Sequence, residues 1–176
     1  MEKVKKNFAI ALGMMAFLFI QTISFAQNNM AEFVAKWENG KQFTLEVVDK
    51  MPDNLLAYKP HETAMSFTEQ IVHLSAAMAG MSQRFLNGDK PSFDLSAKPT
   101  SKADLKAFVA NCYDYVKATA SKLSDAQMAE KVDVFGTSAT RRQALALIDD
   151  HTTHHRGAAI SYIRSNGIEP PRFRAM

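Results

Sequence analysis

Four segments of the chain carry apolar residues at every third or fourth position, and this spacing limits the fold more than any other feature. Such spacing places the apolar side chains on one face of an α-helix. No stretch alternates apolar and polar residues for long enough to predict a β-sheet. Four amphipathic helices in a short chain bury their apolar faces against one another, so the sequence predicts an all-α four-helix bundle.

The first two predicted helices are bounded by clear start and stop residues. Asn28 or Asn29 can cap the first, which runs from about residue 30 to residue 50 and ends before a proline. Ser66 and Glu69 match a capping box at the start of the second, which reaches about Leu86. An Asn-Gly pair follows directly and is expected to end it.

The third predicted helix follows a long crossover, residues 89–99, that contains two prolines. Thr100 or Ser101 can cap this helix, and its apolar face extends to Leu123. Because the crossover is long, the second and third helices can run in parallel, and a simple up-and-down order is not forced.

The last predicted helix follows a short irregular stretch. Residues 124–130 can add a turn of helix, and residues 131–135 are expected to be extended before Gly136 turns the chain. The fourth long helix then reaches about Ser165, and it is expected to be capped by one of three residues: Thr137, Ser138 or Thr140.

The first 26 residues have the three parts of a secretory signal peptide. A basic head precedes an apolar run of thirteen residues, Phe8 to Ile20, and small side chains at Ser24 and Ala26 suit a cleavage site. A membrane anchor is the alternative, but the run is shorter than the roughly 18 residues that a span needs. We therefore expect cleavage after Ala26, one domain over residues 27–176, no stable membrane span after cleavage, and a periplasmic or secreted location.

Charge and cysteine content exclude several classes of partner and site. Residues 1–26 hold three lysines and one glutamate, so their removal lowers the formal charge from +3 to +1. A nearly neutral mature chain argues against nucleic acid as a partner. Cys112 is the single cysteine, which excludes an internal disulfide, a lipoprotein cleavage site and a cysteine-rich zinc site. It is expected to be a small core residue.

Two histidines of the fourth long helix, His151 and His155, are the strongest candidates for chemistry. They lie about 40° apart on a helical wheel, in the middle of the apolar stripe with Ala144 and Ile148. Buried imidazoles cost about 1–3 kcal/mol each unless a partner binds their nitrogens, and a divalent metal is one such partner. The alternative is a pair that bonds to side chains or lies at a solvated edge. His154 falls toward the margin of the stripe.

A third ligand could come from His73 on the second helix. It lies away from the large apolar side chains of that helix, beside two alanines and Gly80, so a surface position is the alternative. If His73 meets His151 and His155, three neutral ligands leave at least one coordination position open, as in catalytic zinc sites. Zinc and nickel suit imidazole ligands. His61, in a loop, is expected to be solvated.

Two stretches of the chain resemble one known family. AYKPHETAMSFTEQIVHLSAA and DHTTHHRGAAISYIRSNGIEPP resemble the second and closing helices of the DinB-like bundle proteins. The resemblance runs from about Ala31 to Phe173. It implies a four-helix bundle in up-down-down-up order.

The same resemblance implies a metal site. The family's triad, carried over by its motifs, corresponds to His73, His151 and His155, with an Arg-Gly pair following. His154 then falls outside the triad. Ala158 stands where the family often has glutamine, which removes a polar group near the pocket.

Three functions remain open at this point. The first is an exported metal-dependent hydrolase acting on a small-molecule substrate, with Tyr58, Tyr162 and Glu69 as candidate general bases. The second is a non-catalytic metal- or ligand-binding stress-response bundle. The third is a structural bundle, or one that forms a homodimer, in which the histidines bind nothing. Some family members are thiol-dependent transferases or isomerases, but their thiols are cytosolic, and a signal peptide weighs against that activity here.

Overall fold

The computed structural model describes residues 30–174, so the predicted signal peptide and the predicted first cap lie outside the described residues. Contacts divide the chain into two units, Met1–Ala35 and Lys36–Met176. Residues 30–35 of the first unit are helical. The bundle belongs to the second unit. Among residues 30–174, no helix combines the length and the apolar character that crossing a bilayer would require.

Helices form most of the described chain. The first, α1, covers residues 30–50, and a short 3-10 helix follows at Asp53–Leu55. The remaining elements are, in order, α2 (Phe67–Phe85), α3 (Lys102–Ser121), α4 (Asp125–Ala129), β1 (Lys131–Val134), β2 (Thr137–Thr140) and α5 (Arg141–Ser165). The four long helices match the predicted ones, and α4 is the predicted extra turn of helix.

Local capping explains why these helices begin where they do. The Ser66 hydroxyl accepts a hydrogen bond from the Glu69 amide, and the Glu69 carboxylate accepts one from the Ser66 amide, as the predicted capping box requires. Ser101 caps α3. Thr140 caps α5 through a second capping box with Gln143. Each cap satisfies amide groups that a helix start leaves without partners.

A two-stranded hairpin precedes α5, and the sequence prediction of a single extended segment was incomplete there. β1 and β2 pair antiparallel, with Val134 opposite Thr137. The turn residues Phe135 (φ 53°) and Gly136 (φ 86°) both adopt positive φ, as a tight two-residue hairpin turn requires. The Gly136 amide donates to the Asp133 carboxylate at 3.0 Å. β1 alternates polar and apolar residues, but its four residues are at the lower limit of length at which alternation predicts a strand.

Ion pairs define the direction of α1 relative to α3. Asp49, at the end of α1, accepts from Lys106 near the start of α3 at 2.7 Å. Glu38, earlier in α1, accepts from Lys117 late in α3 at 3.0 Å. The two helices are therefore antiparallel.

Contacts with α5 give the remaining directions. α1 runs parallel to α5, because Lys36 pairs with Asp149 and the Arg156 guanidinium donates to the Gly40 carbonyl further along both helices. α2 runs antiparallel to α5, because the Arg141 side chain donates to the Phe85 carbonyl where α5 begins and α2 ends. α1 and α5 therefore run in one direction and α2 and α3 in the other, which is the order that the resemblance implies.

One polar cluster lies inside the bundle among α1, α3 and α5. The Tyr113 hydroxyl and the Thr44 hydroxyl are 2.7 Å apart, and Thr44 also donates to the Gly40 carbonyl at 2.9 Å. The Arg156 guanidinium lies within 3.5 Å of all three groups and stacks over the Phe43 ring at 5.0 Å. Each of these polar side chains has a hydrogen-bond partner. We call Thr44, Tyr113 and Arg156, with the Gly40 carbonyl, the arginine cluster.

Candidate metal centre

Helices α2 and α5 bring together the three histidines that the sequence singles out. One ring nitrogen from each of His73, His151 and His155 lies within 4.8 Å of the others. The ring centroids are 4.4 to 5.3 Å apart. Among residues 30–174, no other group of three or more His, Cys, Asp or Glu side chains is placed to hold a metal ion. We call these three residues the histidine cluster.

His151 and His155 lie at the edge of the buried stripe of α5, so their predicted position in the middle of that stripe was wrong. All three histidines are half-buried. The stripe is centred instead on Thr152 and Ala159, which are 1% and 0% exposed. Thr152 is polar, but it can be buried because its hydroxyl donates to the Ile148 carbonyl at 2.7 Å.

The other two histidines lie outside the cluster, as predicted. His154 is exposed, although its ring touches that of His155 with a centroid separation of 4.8 Å. His61 is also exposed, and its Nδ1 lies 2.9 Å from the Thr63 hydroxyl.

Cys112 is fully buried, and burial raises the pKa of its thiol to about 12, which keeps the sulfur protonated.

Gln70 is a site residue that the sequence analysis missed. It lies one turn before His73 on α2, it is 5% exposed, and its side-chain amide nitrogen is 2.5 Å from Nδ1 of His155. In this orientation Gln70 donates to the ring. With the amide flipped, its oxygen accepts instead from a protonated Nδ1. Nε2 of His155 is then the nitrogen left for a cation. The three-residue spacing from His73 was the available sequence signal, because residues at that spacing share a helix face.

Burial favours the neutral form of two of the imidazoles. Partial burial, followed by the charges of His151, His73 and His154, lowers the pKa of His155 to about 4. Burial also lowers the pKa of His151, followed by the charges of His73 and His154, while Asp150 opposes the shift. Neutral imidazoles have a free nitrogen lone pair, which metal binding requires.

The hydrogen-bonding state of the cluster fits a cation. Nδ1 of His151 is buried and has no hydrogen-bond partner among residues 30–174. Such an orphaned polar atom costs about 1–3 kcal/mol. Nitrogen donors of this kind match zinc and nickel, and no carboxylate belongs to the cluster to neutralise a bound ion.

The three candidate general bases are placed differently from one another. Both functions of Glu69 are structural, since it closes the capping box and pairs with Lys59 at 3.4 Å. Hydrogen bonds from Ser66 and the charge of Lys59 lower the pKa of the Glu69 carboxyl. Tyr162 packs edge-on against Tyr58 with a centroid separation of 6.2 Å. Burial and the neighbouring Tyr58 raise the pKa of Tyr162, which makes its hydroxyl a proton donor at neutral pH.

Comparisons with known proteins agree with this architecture. The family model described as "DinB family" matches residues 25–176. The uncharacterized protein YjoA of Bacillus subtilis (strain 168) is 25% identical over 139 residues, which cover 77% of this chain and 90% of YjoA.

Two crystal structures of DinB-like proteins are similar to the chain. That of YjoA from Bacillus subtilis has a TM-score of 0.67 and 25% identity, and the match covers 82% of this chain and 99% of that one. The structure of a DinB-like protein from Bacillus cereus ATCC 10987 has a TM-score of 0.70 at 19% identity, covers 81% and 95% of the two chains, and supports the fold. Since the family match extends over most of the sequence, the chain belongs to the DinB family.

Proposed function

We propose that this protein is an exported metal-binding protein that holds one divalent cation, zinc or nickel, on His73, His151 and His155. The observation that carries the proposal is the convergence of three imidazole nitrogens within 4.8 Å of one another on two packed helices. Three protein ligands leave a coordination position for a small molecule, as is typical of catalytic rather than structural zinc sites.

A bound cation of this kind would supply Lewis-acid chemistry at the open position, and hydrolysis of a small molecule is the reaction class that we propose. The chain's own residues would have separate roles. The three imidazoles hold the ion, Gln70 orients the ring of His155, and Tyr162 offers a hydroxyl that stays protonated.

A non-catalytic metal- or ligand-binding function is the second candidate, and the state of Glu69 favours it. Glu69 is the one carboxylate among the candidate bases, and its Oε2 both accepts from the Ser66 amide and pairs with Lys59. These contacts lower the pKa of the carboxyl and make it a weaker base, and a site with a weak base binds metal but transfers protons poorly.

Elemental analysis of the purified protein tests metal binding. We expect close to one zinc or nickel ion per chain, and metal-free protein that takes up none would contradict the proposal. A screen of simple esters, amides and thiol conjugates with the metal-loaded protein then separates the two candidates. Turnover that disappears with the metal supports the hydrolase, and a complete absence of turnover supports the binding protein.

Export is tested by N-terminal sequencing of the protein from the periplasm or culture medium. Cleavage after Ala26 predicts a mature chain that begins at Gln27. Intact protein in the cytoplasm would contradict the exported location.

A further inference from the structure

A cavity of about 670 Å³ lies beside the histidine cluster, and His73 forms part of its wall. The loop before α2, the first turns of α2 and the crossover between α2 and α3 enclose it. Most of its wall is apolar: Ala64, Met65, Val72, Leu95, Ala97 and Pro99. Its size suits a small organic molecule, and apolar walls with a few polar groups are typical of ligand sites.

The charged groups of this cavity leave an excess of positive charge. Lys59, Lys98 and Glu69 line it. Glu69 and Lys59 pair with each other at 3.4 Å. Lys98, by contrast, forms no ion pair with any residue between positions 30 and 174, and its side chain is exposed. One ammonium group at the mouth of an apolar cavity is therefore available to a ligand.

The neighbouring histidine cluster adds to this positive field. Its three ligands are imidazoles, so none of them carries a negative charge that would offset a bound cation. Positive charges that line one pocket attract ligands of negative charge.

We infer that the cavity binds small organic carboxylates with an apolar body. Lys98 pairs with the carboxylate, the body packs along Met65, Val72 and Leu95, and its far end reaches His73. The inference rests on the proposed function in one respect, since the charge of the bound cation strengthens binding. It names the substrate class of that site: an amphipathic anion of low molecular weight.

Hexanoate is a suitable probe, and hexanol is its uncharged control of the same length. Both are titrated into isotope-labelled protein, metal-free and zinc-loaded, while amide chemical shifts are followed by NMR. We expect hexanoate to shift the amides of Val72, Leu95 and Ala97. Hexanol should bind about fivefold more weakly, because it lacks the charge that pairs with Lys98. Zinc should tighten the binding of hexanoate and leave that of hexanol unchanged.

Two lysine variants make the test specific. Lys98→Gln should weaken hexanoate binding about threefold to fivefold, as the loss of one solvated ion pair implies. Lys90→Gln, which changes an exposed lysine of the same crossover outside the cavity, should have no effect.

Three outcomes would overturn the inference: equal affinities of Lys98→Gln and the unchanged protein, equal affinities for hexanoate and hexanol, or shifts confined to residues outside the cavity. Failure of the proposed function is a separate result. Zinc that does not bind would remove the metal site, and the titration of the metal-free protein would still decide whether Lys98 binds a carboxylate.

Discussion

The arginine cluster and the histidine cluster are two groups of polar side chains in one bundle, and consecutive residues of α5, Arg156 and His155, belong to them. In the arginine cluster, the Thr44 and Tyr113 side chains are 0% and 1% exposed and bond to each other and to Arg156. In the histidine cluster, Gln70 bonds to one ring only, and a buried nitrogen of His151 has no partner among the described residues.

This difference separates a structural polar group from a functional one. Buried polar atoms that hydrogen-bond to one another hold helices together, because removing one of them leaves its partner buried without a hydrogen bond. Polar atoms that the chain leaves unsatisfied at a half-buried position can be satisfied by a ligand. The arginine cluster is complete, and the histidine cluster is not.

The largest expected effect is the loss of metal from ligand variants. We expect His73→Ala, His151→Ala and His155→Ala each to weaken zinc binding at least about 100-fold, since each removes a direct ligand. His154→Ala is the matched control and should keep most of the metal. Elemental analysis and competition with a chelator measure the effect, and equal losses in all four variants would show that the cluster is not the site.

The second effect concerns Gln70, which touches the cluster without belonging to it. Gln70→Leu should weaken zinc binding about 10-fold to 100-fold, because it removes the group that orients the His155 ring. Gln70→Glu should bind zinc at least as tightly as the unchanged protein, since an ionised carboxylate can only accept and therefore holds the proton of His155 on Nδ1. Gln83→Leu, elsewhere on α2, is the control. An unchanged affinity in Gln70→Leu would mean that His155 needs no such partner.

The third effect is on the stability of the fold and should leave zinc affinity nearly unchanged. Arg156→Leu is expected to lower the free energy of unfolding by about 1.5 kcal/mol, because it leaves the Tyr113 and Thr44 hydroxyls with fewer partners. Urea denaturation measures this, with the exposed Arg164→Leu as control. Zinc affinity should change less than about threefold if the two clusters are independent. A large loss of zinc would contradict their separation.

The smallest effect is the pH dependence of the metal-free protein. The pKa of His155 is lowered to about 4 in the folded chain, against an ordinary value of 6.5. The folded state therefore prefers the neutral ring, and stability is lost as the pH falls from about 6.5 toward 4. We expect a loss of about 1 kcal/mol, because solvent screens a half-exposed ring. His155→Gln should flatten this profile, and a stability that rises on acidification would contradict it.

Most of the helix limits could be predicted from sequence, because capping is local. Ser66, Ser101 and Thr140 each act within three residues of their position, so the chain itself displays the relevant partners. The hairpin could not be predicted in full, because its two short strands depend on the tight turn at Phe135 and Gly136. Gly136 is a residue type that commonly adopts positive φ, but Phe135 is not, so the residues of the turn predict only half of its conformation.

The site was predictable in its composition and less so in its surroundings. The spacing of His151 and His155 placed both rings on one face of a helix. His73 was a candidate third ligand because small residues lie beside it on its helix and because it matches the family's motif. The spacing of Gln70 from His73 places the two on one helix face, but the contact of Gln70 with His155 joins two helices far apart in sequence, and that spacing does not reveal it. The wheel misplaced the buried stripe because Thr152, a polar residue, satisfies itself within its own helix.

The placement of the candidate metal ligands on α2 and α5 has a consequence for how related chains can vary. The histidine cluster and Gln70 project from α2 and α5, whereas α1 and α3 contribute none of these four side chains. Substitutions in α1 and α3 are therefore limited by packing, by the arginine cluster and by the ion pairs between the two helices, and not by a metal ligand. Related chains are expected to diverge fastest along those two helices while keeping the same imidazole geometry.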